Sequence, residues 1–173
     1  MTDVAVRRAG PGDEQALADL AVRTFPLACP PHTAPEDIER YQQSELSVER
    51  FADDLRRTGV VFHVAEIGPE VVGYTMLVGP MPPPDGPAGR NPVELRRIYV
   101  DEARHKNGVG HALMATALRH ARTHGYDQVW LGTNQLNERA IAFYERQGFA
   151  ITGAKTFRVG SATEHDHVMT RPV

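Results

Sequence analysis

The stretch from Val93 to Leu131 constrains the fold more than any other part of this chain. Val93–Val100 reads as a strand. Gly108 to His124 sets Leu113, Met114, Ala117, Leu118 and Ala121 on one wide helical stripe, and Val129–Leu131 is a short apolar strand. A strand, a long helix and a second strand in that order predict a right-handed crossover between two parallel neighbours. Any fold for this chain must contain a sheet that accepts such a pair.

The rest of the sequence supplies that sheet. Val4–Arg8 alternates apolar and charged residues and reads as a strand, ended by Gly10-Pro11-Gly12. Asp13 is the expected N-cap of a helix through Thr24, with Leu17, Leu20, Ala21 and Thr24 on one face. Helices follow at about Glu36–Ser44 and Ser47–Arg57, the second with Val48, Phe51, Ala52 and Leu55 as its stripe. Val60–Glu66 and Val71–Val78 flank Gly68-Pro69 and predict a hairpin. Met81–Pro92 is a Pro- and Gly-rich loop. Asn137 is placed to cap a helix that stops at Gly148, and strands at about Ala150–Val159 and His165–Arg171 complete the chain. The pattern is a mixed α/β sheet with helices on both faces.

Composition narrows the function. The 173 residues suit one domain spanning the whole chain. With 41% hydrophobic and 24% charged residues the chain has the make-up of a soluble globular protein. A net charge of −3 and a pI of about 6.2 argue against a nucleic-acid partner. No run of about 18 apolar residues predicts a membrane span. The terminal stretch Met1 to Arg8 lacks the positive, apolar, small order of a signal peptide. Cys29 is the single cysteine, which fits a reducing cytoplasm. Lying before Pro30-Pro31, with no basic partner beside it, its thiol is read as inert.

Gly108-Val109-Gly110 opens the longest helix, where two glycines let backbone N–H groups approach an anion and the helix end adds partial positive charge. The plainer reading is a flexible turn. A dinucleotide-binding turn is excluded, because seven residues separate Val100 from Gly108 and position 113 is Leu. A Walker loop is excluded because His111 follows Gly110.

Glu94-Leu95-Arg96-Arg97-Ile98-Tyr99-Val100-Asp101 followed by His105-Lys106-Asn107-Gly108-Val109-Gly110 resembles motif A of the GCN-five-related N-acetyltransferases, the GNAT superfamily. Asn137 to Phe149 resembles motif B of the same superfamily. Val129-Trp130-Leu131-Gly132, the tail Thr152 to Phe157 and the helical stretch Pro35 to Phe51 are most similar to the PaiA-type polyamine acetyltransferases. The resemblance implies a GNAT fold: a central, mostly antiparallel twisted sheet of about seven strands with one parallel pair. It implies acetyl-CoA as co-substrate, with no metal. The amides of His105, Lys106, Asn107, Gly108, Val109 and Gly110 would then hold the pyrophosphate. Backbone groups of Ile98 and Val100 would pair with the pantetheine arm like an added strand. Asn137 would stabilise the gap between the parallel strands or touch the cofactor, and Tyr144 would stand near the sulfur. His105 replaces the usual Gln or Arg, which predicts weaker or more pH-sensitive CoA binding.

Acetyl transfer needs a neutral amine. For a primary amine with a pKa of about 10.4, reaching that form at pH 7 costs about 4.6 kcal/mol. Glu94 is the candidate base, against its reading as an exposed strand Glu paired with Arg96 or Arg97. Tyr144 is the candidate acid for the leaving thiolate, against its reading as a core tyrosine with Ala140 and Ile141. Phe143, Met114 and Trp130 are assigned to packing. His165-Asp166-His167 invites a metal reading, but two imidazoles do not fill a zinc site, and an exposed edge strand is preferred. The acidic run Glu36 to Asp54 is either a solvated face or a lip attracting a polycation, with Glu36, Tyr41 and Glu45 as its lining. The expected function is a cytoplasmic acetyl-CoA-dependent N-acetyltransferase acting on a small amine, a polyamine by choice, by direct transfer. The rivals are a protein N-terminal or antibiotic acetyltransferase and a non-catalytic acyl-CoA-binding module. A homodimer is compatible with either.

Overall fold

A computed structural model describes residues 3–173; Met1 and Thr2, part of the terminal stretch read above, lie outside the described residues. The elements in chain order are β1 (Ala5–Arg8), α1 (Glu14–Ala28), α2 (Pro35–Glu45), α3 (Val48–Arg56), β2 (Val60–Ile67), β3 (Glu70–Val78), β4 (Pro92–Val100), a 3-10 turn at Glu102–Arg104, α4 (Val109–Thr123), β5 (Gln128–Asn134), α5 (Glu138–Arg146), β6 (Ala150–Val159) and β7 (Ala162–Pro172). The seven strands make one sheet in the order β1-β2-β3-β4-β5-β7-β6. Every neighbouring pair is antiparallel except β4 and β5.

Alternation along β3 assigns the helices to the two faces. Tyr74, Met76 and Val78 point into a cluster with Leu17, Leu20 and Phe25 of α1 and Phe51 of α3. Gly73 faces the other way, where a Cβ would meet Leu113 and Val109, so α4 packs directly on bare backbone there. Leu113, Met114, Ala117 and Ala121 are fully buried beneath it, the stripe expected of this helix. Gly108 supplies its N-terminal turn at φ +76°.

α1 departs from expectation at its C-terminal boundary. The helix continues past Thr24 to Ala28 with Pro26 inside it. Proline has no N–H to give the carbonyl of Val22, and the Nε2 of Gln42 on α2 donates to that carbonyl instead at 2.9 Å. Asp13 stands at the N-cap position, as expected, but its side chain makes no capping bond: its carboxylate accepts from the Gly10 amide and pairs with the Arg7 guanidinium. Ser47 and Asn137 do cap, accepting from the amides of Arg50 and Ala140.

β5 is longer than its apolar triplet suggested. It runs through Gly132, Thr133 and Asn134 because β7 pairs with it along its whole length, from Gln128↔Pro172 to Asn134↔Asp166. With β4 it makes three rungs only: Pro92↔Gln128, Val93↔Val129 and Glu94↔Trp130. Beyond Glu94 the two strands diverge, β4 staying with β3 and β5 with β7. The sheet therefore splits into a wedge whose apex is Glu94.

Candidate active site

A cavity of about 500 Å³ fills the wedge and is lined by residues from both faces of the sheet. On the α4–α5 side it is lined by His105, Gly110, Asn137, Arg139, Phe143 and Tyr144. On the α1–α3 side it is lined by Phe25, Tyr41, Glu45, Arg97, Glu164 and Asp166, among others.

The open edge of β4 is set by hydrogen-bond alternation. Asp101 donates its N–H to the Val72 carbonyl at 2.9 Å. Counting back in twos, Tyr99 also faces β3, so Ile98 and Val100 turn their N–H and C=O toward the wedge. The carbonyl of Val100 already accepts from His105 Nε2 at 2.8 Å. That bond places the ring proton on Nε2 and leaves Nδ1 as the acceptor for the Arg139 guanidinium. The His105 side chain is thus a brace between β4 and α5, which explains how it can stand where Gln or Arg was expected.

The six amides from His105 to Gly110 are not equivalent. Those of His105 and Asn107 donate to the carbonyls of Glu102 and Arg104. The amides of Val109, Gly110 and His111 sit in the first turn of α4, where no intrahelical acceptor exists. Gly110 lines the cavity, while the side chain of Val109 is core and Lys106, Asn107 and Gly108 lie outside the lining. An anion cradle here is the helix start rather than the loop before it.

Tyr144 lines the cavity with its ring edge-on to Phe143 and Phe149. Burial pushes its phenol well above the ordinary value, so it keeps its proton across the physiological range. Glu94 is buried at 6% exposure, not an exposed strand residue, and its Oε2 accepts from both Nε and Nη2 of Arg96. Among the described residues its Oε1 has no hydrogen-bond partner, and Glu94 is part of the cavity wall.

The acidic run beyond α1 does not assemble as a lip. Asp37 pairs with Arg40, Glu45 with Arg50, and the buried Asp54 with both Arg50 and Arg57. Tyr41 and Glu45 reach the cavity, Tyr41 stacked on Phe25 at 4.5 Å. Glu36 does not. It is exposed on the first turn of α2, nine residues before Glu45 and about 180° away at 100° per residue.

Sequence reasoning missed several charged groups that line the cavity: besides Arg139, Arg146 and Lys155 there are three. Glu164 and Asp166 point into it from β7, while His165, on the opposite pleat, is exposed. Glu164 binds His32 Nε2 at 2.7 Å. Asp166 is held above the usual carboxylate range by burial, which nearby Lys155 offsets in part. The third is Arg97. Arg96 is the extra residue of a bulge in β4, where Met76 pairs with Arg97 but Leu77 with Leu95. The bulge resets the alternation and turns Arg97 onto the face of Glu94. The strand of His165 and His167 is not the edge strand expected: β7 lies between β5 and β6 and pairs with both. Among the described residues no group of three or more potential ligands could hold an ion.

Comparison with known proteins agrees with this geometry. Residues 15–149 match the model of the Acetyltransferase (GNAT) family. An uncharacterised N-acetyltransferase of Mycobacterium tuberculosis is 41% identical over 159 residues, covering 92% of this chain and 97% of that one. N-acetyltransferase 8 of Rattus norvegicus is 39% identical over 99 residues, covering 57% of this chain and 43% of the relative. Among solved structures, the PaiA N-acetyltransferase of Thermoplasma acidophilum in complex with coenzyme A superposes with a TM-score of 0.81 at 19% identity, covering 99% of both chains. The ribosomal-protein-S18-alanine N-acetyltransferase of Escherichia coli superposes with a TM-score of 0.72 at 17% identity, covering 99% of this chain and 94% of that one. The sheet split at its parallel pair, the glycine-opened helix beside the split and the family match together show that the chain belongs to the GNAT family of acetyltransferases.

Proposed function

We propose that this acetyltransferase uses acetyl-CoA to acetylate the primary amine of a small molecule, by direct attack with both substrates bound. The observation that carries this reading is the cavity passing through the split sheet, with Tyr144 on one wall and Glu94 at the apex. The free edge of β4 at Ile98 and Val100, the uncapped amides of Val109 and Gly110, and the bare Cα of Gly110 suit a phosphorylated thiol carrier lying along that edge. Acetyl-CoA supplies there a thioester as acyl donor.

The protein's own groups do the rest. Glu94, or Asp166 with its raised pKa, takes the ammonium proton. The neutral nitrogen attacks the thioester carbon, the carbon–sulfur bond breaks, Tyr144 gives its phenolic proton to sulfur, and the second proton shed by the new amide nitrogen restores the phenol. The polyamine expected from the sequence draws support from the buried Asp166 on the cavity lining rather than from Asp37, Glu45 and Asp54 of α2 and α3, which pair with arginines. We place the reaction in the cytoplasm, where a lone reduced Cys29 is at home; no described helix is long and apolar enough to cross a membrane.

Release of free CoA thiol against an amine panel, with mass spectrometry of the products, tests the reading. An acetylated amine is expected. Tight acetyl-CoA binding by calorimetry with no turnover of any amine would instead make the protein an acyl-CoA-binding module.

A further inference from the structure

The acceptor half of the cavity contains a buried cation, Arg97, without an ion-pair partner among the described residues. Arg96 pairs there with Glu94, Arg50 with Glu45 and Asp54, and Glu164 with His32, while Lys155 and Asp166 on the same lining act on one another through their charges. Arg97 makes no ion pair among the described residues, and its Nη1 is buried without a hydrogen-bond partner. Its guanidinium carbon stands 5.8 Å from the Phe51 ring centroid. The ionisable groups that act on it are the phenols of Tyr74, Tyr99 and Tyr41. Burial holds all three above their ordinary value, so they stay neutral. The hydroxyl of Tyr74 is likewise buried without a partner. Arginine cannot shed its proton. A permanent cation in an aromatic pocket is costly unless an anion joins it.

We propose that the acceptor is an amine that also carries a carboxylate, and that Arg97, with the Tyr41 hydroxyl beside it on the cavity wall, is the residue that binds this carboxylate. The proposal rests on the acetyltransferase reading and narrows its substrate class. The planar guanidinium fork matches a carboxylate. A carboxylate matches the single charge of Arg97, whereas a phosphate of about −2 would bring a second negative charge near Glu94, Glu164 and Asp166. The anion belongs to the acceptor rather than to the carrier, because the bulge at Arg96 turns Arg97 toward Tyr74, Phe51 and α3, away from the α4 face. A polyamine would bring further ammonium groups beside Arg97. Glu94, Glu164 and Asp166 then serve the amine end of the same molecule.

The test compares, for a panel of amino acids, each free acid with its carboxamide and its decarboxylated amine, alongside spermidine and an aminoalkylphosphonate. The wild-type protein should favour the free acid by about 100-fold or more in kcat/KM, since the amide leaves the buried charge unpaired. Arg97→Met should shrink that ratio to within a few-fold, mainly through the amine KM, and Arg97→Lys should retain part of it. The wild-type series decides even if a variant fails to fold. Equal or better use of amides, simple amines or spermidine overturns the carboxylate site while leaving the acetyltransferase intact. A better phosphonate overturns the monoanion, and an effect of Arg97→Met falling on acetyl-CoA KM moves Arg97 to the carrier. If no amine of any kind is acetylated, both readings fall.

Discussion

Tyr144 packs and lines the cavity at once: its ring stands edge-on to Phe149, and the residue is part of the cavity wall where we propose that its phenol gives a proton to sulfur. Removing only the oxygen separates the two roles. Tyr144→Phe should fold normally, bind acetyl-CoA with little change and lose roughly 10²–10⁴-fold in kcat. A near-normal kcat would leave Tyr144 to packing alone. Such candidates were legible in the sequence because motif spacing survives without coordinates. Arg97, Glu164 and Asp166 were not. A strand's two faces can be counted only if the alternation is unbroken, and the bulge at Arg96 shifts it by one. On β7 the eye goes to His165 and His167, while the pleat sends their acidic neighbours inward.

Among the elements, α4 and the crossover around it could be read directly, since a buried stripe of small and large apolar residues needs a sheet to cover it. The junction of α1 with α2 could not, because it depends on one side chain replacing a missing amide. Gln42→Ala withdraws the donor from the Val22 carbonyl. At about 1 kcal/mol for a partly exposed bond, Tm should fall by about 2–4 °C in a chain of this size. Because Phe25 and Tyr41, on the two joined helices, both line the acceptor side, KM for the amine should rise as well. Gln43→Ala, exposed on the same helix, is the control, and an equal effect there would dissolve the explanation.

Across the whole molecule, the face opposite the acceptor side carries a second titrating group of residues. His63 and His120 lie edge to face at 5.3 Å, and His120 stacks on His124 at 3.9 Å, with Arg8 and Arg119 nearby. Burial first, then these positive neighbours, lower both His63 and His120 to about 4 from an ordinary 6.5. Between those values the unfolded chain binds protons that the folded one refuses. Stability therefore falls as pH drops from about 6.5 toward 4, and is fully present above that window. Thermal unfolding followed across this range should show the loss, and His63→Phe should flatten it. An unchanged slope would remove these rings as the cause.

The wedge at Glu94 also acts as a ruler. From Val100 to the apex the free edge of β4 spans six residues, about 20 Å at about 3.3 Å per residue. A linear carrier laid along that edge can advance only until the rungs at Pro92, Val93 and Glu94 stop it. Its reactive tip, rather than its middle, is thereby delivered where the two faces of the sheet communicate. A longer acyl chain would have to spend its extra length in the acceptor's half of the cavity, so a seam used in this way would also limit the size of group passed through it.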